Sequence, residues 1–159
     1  MAPAGRADWE TAGHLGYRGE MELLRRCADY ERLNVFKAFP DLEPNEYVVY
    51  DLQSRGIVGI QVKAVTLGAD GGATINVYRP ALRPSVNTWF VIFLADAGGV
   101  ALDEQCAVVP SWFVADHLVG HGVAGKFNVG RTLGGRLAQW RVPLNALGTR
   151  LAELAASLA

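Results

Sequence analysis

The chain has 159 residues, a length that predicts one domain and lets about 70% of the unfolded surface be hidden on folding. Half of the residues are apolar and 19% are charged, an ordinary globular composition. No apolar run approaches the ~20 residues that cross a bilayer, which points to a soluble protein, and a net charge of −1 excludes a uniformly basic nucleic-acid-coating chain.

The first ten residues, MAPAGRADWE, are polar and carry acids without an apolar stretch, so no secretory leader is expected. Residues 1–10 are read as a flexible N-terminus and 11–159 as a single domain. A helix is predicted from Thr11 to Leu33, with Leu15, Leu23, Leu24 and Cys27 at helical spacing and Glu20, Glu22, Arg25 and Arg26 at polar positions. Asn34–Phe39 reads as a short strand stopped by Pro40, and Asp41–Asn45 as a loop containing Pro44. Glu46–Tyr50 is a β-branched and aromatic strand, Asp51–Gly56 a polar turn, and Ile57–Leu67 a second strand of the same hairpin. After a break at Gly68–Gly72, Ala73–Tyr78 is expected to be a third antiparallel strand. Thr88–Ala95, TWFVIFLA, is continuously apolar and fits a central strand buried on both faces.

Gln105–Val109 is predicted as a further strand, followed by a short helix that starts at Pro110 and Ser111, where the missing proline N–H costs nothing. From Leu144 the chain is helical, with Leu147, Leu151, Leu154 and Leu158 on one stripe. This order of elements predicts a mixed sheet flanked by helices, in the α/β or α+β class.

Cys27 and Cys106 are isolated, which suits a reducing cytosol and a cytoplasmic location rather than a metal site. His14, His117 and His121 lack the company that a zinc site needs. Gly68–Gly72 is glycine-rich, but no Gly-Lys-Ser/Thr follows it, so it is not a phosphate loop. Trp89, Trp112 and Trp140 lie in apolar contexts expected to be core or interface.

Charge is uneven along the chain. Residues 118–159 carry Lys126, Arg131, Arg136, Arg141 and Arg150 against Glu153 alone, whereas residues 67–117 carry two bases and five acids. Such a positive segment can meet a polyanion, with Lys126, Arg131 and Arg136 as candidate contacts to DNA; the alternative is a solvated surface.

The chemistry concentrates between Glu46 and Lys63. Gln61 and Lys63 interrupt an apolar strand, and their spacing of two puts them on one face with Gly59, opposite Ile60, Val62 and Ala64. If Tyr50 pairs with Ile57 across the turn, Glu46 falls opposite Gln61, and side chains so opposed sit about 5 Å apart at Cβ. Asp51 is the alternative acid. In the same register it faces Gly56 on the other side of the hairpin, about 16 Å along the strand from Gln61, so Glu46 is preferred. The alternative for the whole cluster is a solvent-facing edge with one weak Glu–Lys contact.

This arrangement resembles the PD-(D/E)XK nuclease superfamily, in particular small bacterial members with a QVK strand. The resemblance covers about Leu15 to Ala95: a helix, a hairpin bearing an acid at Glu46, and a strand carrying Gln61-Val62-Lys63, with Glu20 at the position of a helix acid and Pro44 as the proline of the motif. It implies a restriction-endonuclease-like fold and a Mg²⁺- or Mn²⁺-dependent endonuclease that hydrolyses DNA. Glu46, Glu20 and Gln61 would be metal ligands, and Lys63, Gln61, Glu46 and Glu20 the catalytic set. Two departures, Glu for the usual Asp at 46 and Gln for the usual Glu at 61, leave open a nuclease-like module that binds nucleic acid or serves assembly without cutting. Cutting both strands of a duplex favours two sites related by a twofold axis, so a homodimer is expected, with the leucine stripe at its interface or packed on its own sheet.

Overall fold

A computed structural model of the chain describes residues 6–38, 46–130 and 133–159, with side chains described from Gly13 onward. Helix α1 (Arg6–Ala28) leads into strands β1 (Leu33–Lys37), β2 (Tyr47–Asp51) and β3 (Ile57–Thr66). Strand β4 (Ala73–Tyr78) follows, then β5 (Thr88–Ala95), β6 (Leu102–Pro110) and the short helix α2 (Ser111–Asp116). The chain continues through β7 (Ala124–Val129), a 3-10 segment (Gly135–Trp140) and β8 (Arg141–Pro143), and closes with α3 (Leu147–Ser157).

Six strands form one mixed sheet in the order β1-β2-β3-β5-β6-β8. Only β3 and β5 run parallel; the other neighbours are antiparallel. The expected mixed sheet flanked by helices is therefore what the chain forms. The apolar TWFVIFLA run is its interior strand, with one residue of the eight short of full burial. Its alternate side chains feed two cores. Val91 and Phe93 join Tyr47, Val49, Val58, Ile60 and Val62 beneath α1 and α3. Phe90, Ile92 and Leu94 join α2 and a second, two-stranded sheet made of β4 and β7.

Two expectations need correction, and one left open is decided. The strand Ala73–Tyr78 exists, but it pairs with β7 and not with the hairpin. The far side of β3 is already taken by β5, and the turn at Gly68–Gly72, with Gly71 at φ 77°, lifts the chain off the main sheet. Helix α1 ends at Ala28 and not Leu33, because Leu33 enters β1 opposite Asp51. The stripe Leu147, Leu151 and Leu154 is buried in this chain's own core with Leu158 packed against it, so the C-terminal helix provides no dimer interface through that face. The tryptophans divide: Trp89 and Trp140 are partly buried and stack edge to face at 5.8 Å, while Trp112 is 42% exposed beside Trp140.

Helix α1 lies close against the sheet at Gly19, where an added Cβ would sit 3.0 Å from Ala64 Cβ and 3.2 Å from Phe93 Cδ2. This close approach is what carries the next residue, Glu20, to the edge of the sheet. Gly19→Ala is expected to cost about 1 kcal/mol, the overpacking being partly offset by alanine's better helix propensity. Denaturant unfolding at unchanged m-value measures it.

Candidate active site

The β2–β3 register pairs Tyr50 with Ile57 and Tyr47 with Ile60, the alignment expected from the turn. One residue before β2, the Glu46 backbone N–H still donates to the Ile60 carbonyl at 3.0 Å. The Glu46 side chain then reaches across the strand, and its Oε2 accepts the Val62 N–H at 3.0 Å. Glu46 thus lies at the level of Gln61. Beyond it β3 runs on to Thr66, while β2 has begun only at Tyr47.

Gln61 is 6% exposed and Lys63 partly buried. They pair in register with Phe90 and Ile92 of β5, which places both side chains on the face covered by β4 and β7. Among the described residues neither side chain has a hydrogen bond, and Lys63 has no ion pair within 4.0 Å, although its charge acts on Glu46.

Glu20 comes from the other core. Its Oε2 accepts from Lys37 Nζ at 3.1 Å and from the Tyr47 hydroxyl. Lys37 and Tyr47 face each other across β1 and β2, with the Lys37 ammonium 5.6 Å from the Tyr47 ring centroid. Sequence reading missed both tethers. Their signal is the pairing of β1 with β2, which the long connection between those strands hides.

The electrostatics of Glu46 bring the set together. Burial pushes its carboxyl above the ordinary glutamate value, and the Glu20 carboxylate adds to that push. The Val62 N–H and the charges of Lys63 and Lys37 act against it. Glu20, Lys63 and Lys37 therefore each act on Glu46 at the start of β2.

Asp51 is a different kind of residue. It is fully buried and held in a two-pronged ion pair by Arg32 at 2.7 and 2.6 Å. It also accepts the N–H groups of Gln53 and Ser54 in the turn. The Arg32 hydrogen bonds hold its carboxyl far below the usual aspartate range. Alternation along β2 sets it on the side of Tyr47 and Val49, away from Gln61 and Lys63. The structure assigns it to the hairpin turn.

No set of three or more His, Cys, Asp or Glu side chains suited to a metal occurs among the described residues. His117 Nδ1–H donates to the Phe113 carbonyl at 2.8 Å, the geometry of a helix-end residue. Lys126 lies exposed on β7, and Arg136 lies exposed in the 3-10 segment, beside His117, Phe127 and Asn128. Arg131 and Pro44 fall outside the described residues.

The fold has a known counterpart. It is similar to the structure of a bacterial homing endonuclease, I-Ssp6803I, with a TM-score of 0.56 over 89% of this chain and 91% of that one. The two sequences are 16% identical over this match, so the likeness is one of fold. No protein-family model matches the chain, and no curated protein sequence matches it. No described helix is long and apolar enough to cross a membrane.

Proposed function

We propose that the chain is a metal-dependent nuclease of the PD-(D/E)XK type that hydrolyses phosphodiester bonds in DNA. One observation carries this reading. Glu46, at the start of β2, lies level with Gln61 on the face of Lys63, and both the Lys63 charge and the Glu20 carboxylate from α1 act on it, in a fold similar to that of a homing endonuclease.

The donor set fits Mg²⁺ or Mn²⁺. Mg²⁺ is commonly held by one or two carboxylates with water completing the shell. Glu46 has one oxygen on the Val62 N–H and Glu20 has one on Lys37 and Tyr47, which leaves each with an oxygen to offer. The Gln61 amide oxygen is the third candidate ligand. A bound divalent ion supplies an activated water and polarises the phosphoryl oxygen. The chain's own contribution is to orient. Tyr47 and Lys37 hold the Glu20 carboxylate, the Val62 N–H holds Glu46, and Lys63 places a positive charge where the phosphate gains negative charge.

Purified protein with supercoiled plasmid tests the reading: nicking that requires Mg²⁺ or Mn²⁺ and stops with EDTA supports it. A specific observation favours a second reading, a nuclease-like module that binds DNA without cutting. Gln61 brings no charge, so the described site holds two carboxylates only. Salt-sensitive DNA binding with no nicking in either metal would select it. We further propose a homodimer, since a duplex presents two strands to cut.

The basic residues on the β7 side give a separate expectation. Removing a phosphate contact with Lys126→Ala or Arg136→Ala weakens binding alike on all sequences. Each change flattens the log–log salt dependence on duplex DNA by about 0.9. Fluorescence anisotropy across a salt series reads the slope, and an unchanged slope returns the residue to the solvated surface.

A further inference from the structure

The two-stranded sheet is an outer layer with one face uncovered. Ile75, Val77, Phe127 and Val129 point inward into the second core. Thr74, Asn76 and Tyr78 on β4, and Ala124, Lys126 and Asn128 on β7, are exposed. Their register sets Thr74 beside Asn128, Asn76 beside Lys126 and Tyr78 beside Ala124. This outward face carries a cation and four further hydrogen-bonding side chains, and it has no carboxylate, in a chain that has 16 acids to 15 bases. The nearest acid in the sequence, Asp70, is turned onto the Gly72 N–H at 3.0 Å.

Two features lift this face above an ordinary solvated one. Asparagine is depleted in strands, where its side chain competes with the ladder, yet Asn76 and Asn128 stand inside paired strands pointing outward. Residues that break the local rule without repairing packing are where function is expected. The second feature is place. Gln61 and Lys63 pair with Phe90 and Ile92, and those two residues pack in one core with Ile75, Val77 and Phe127 of the ribbon. The ribbon therefore covers the same side of the main sheet as the candidate catalytic strand.

We infer that the β4–β7 ribbon is the surface that reads base edges in the major groove of duplex DNA, with Asn76 as its principal reader. The inference rests on the nuclease reading above. A two-stranded ribbon, its strands about 4.8 Å apart, enters a groove about 12 Å wide. Asparagine pairs bidentately with adenine through N6 and N7. Asn76 makes no side-chain hydrogen bond among the described residues, so both of its amide groups are available for adenine. Asn128 differs, because the Thr74 hydroxyl donates to its Oδ1 at 3.1 Å and leaves its NH₂ as a single donor. Lys126, across from Asn76, meets the phosphate beside that base pair. The absence of carboxylates is what a polyanion requires of the face it meets.

The test is selection from a randomised duplex library by the full chain, with Ca²⁺ present, alongside Mn²⁺-dependent nicking of plasmid. The unmodified chain is expected to enrich a site that contains an A·T pair. Asn76→Ala should lose discrimination at that pair by roughly 10- to 100-fold, with Asn128→Ala losing less, and both should nick non-specific plasmid as the parent does. Both are outward changes, and unaltered circular dichroism shows that they fold. Enrichment of the same site by both variants as strongly as by the parent overturns the inference. So does a parent that nicks plasmid yet enriches no sequence, which leaves the nuclease reading standing. Preference for the single-stranded library over the duplex also overturns it. A parent that neither enriches nor nicks defeats both readings.

Discussion

With the proposed nuclease activity, replacing Lys63 with alanine is expected to lower the rate of metal-dependent DNA hydrolysis by about 10²–10³-fold, the loss seen when one preorganised charge-stabilising group is removed from a transition state. The side chain is partly buried on the face of β3 beneath the ribbon, with no ion pair to replace among the described residues. Its removal therefore leaves the fold intact and the thermal midpoint close to that of the parent. Glu46→Gln is expected to be as damaging to activity, again without loss of stability. Burial raises the Glu46 carboxyl, so its ionised form is the one the fold disfavours. Neutralising it relieves that penalty, and the metal-free variant should melt no lower than the parent. The same shift sets the pH dependence. Protons compete with the metal for Glu46 at a higher pH than for an ordinary glutamate, so Mn²⁺ affinity rises with pH through the titration of this group. Calorimetry with Mn²⁺ and single-turnover nicking across pH check both statements. A Glu46→Gln variant that cuts at the parental rate removes Glu46 from the site.

Asp51→Ala has the reverse profile. Its carboxylate is buried, accepts two bonds from Arg32 and caps the hairpin turn through two backbone N–H groups. Breaking a fully buried pair costs about 3–5 kcal/mol. The Arg32 side chain is 33% exposed and can turn to water, so the expected loss is smaller, about 2–3 kcal/mol. In a domain of this length that lowers Tm by about 5–10 °C. The sign with pH follows from the depressed carboxyl. The stabilisation is fully present above the unfolded aspartate value of about 3.9, and it is lost as pH falls from there toward the lower folded-state value. The parent should therefore lose stability in acid more steeply than Asp51→Ala. Mn²⁺ binding should survive in this variant. A normal melting temperature with lost Mn²⁺ binding would reassign the catalytic acid from Glu46 to Asp51.

The contrast between these two acids shows what local sequence determines. The turn Asp51–Gly56 joins two β-branched strands, and a hairpin register set by its turn needs no distant information. That is why the level of Glu46 beside Gln61, and the common face of Gln61 and Lys63, were legible from spacing alone. The same holds for β5, whose unbroken apolar run belongs only to a strand buried on both sides, and for α3, whose leucines repeat at helical period.

Partners distant in the chain were not legible. The leucine stripe of α3 is equally suited to a second copy and to its own sheet, and only the packing on β2 and β3 decides for the sheet. Ala73–Tyr78 is a strand by composition, but its partner β7 lies beyond β5, β6 and α2, and no local rule couples the two. Strand β7 itself, AGKFNV, alternates as a strand should, yet its glycine, lysine and asparagine mask the pattern until the inward Phe127 and Val129 find the second core. Spacing set Asp51 aside in favour of Glu46 but gave it no role until Arg32, at the foot of β1, closes on it. Glu20 reads as a helix acid with no address until Gly19 lets α1 settle on the sheet and Lys37 and Tyr47 take hold of its carboxylate. Spacing determines which side chains share a face of one element. The approach of one element to another depends on burying both at once, and that is a property of the folded chain as a whole.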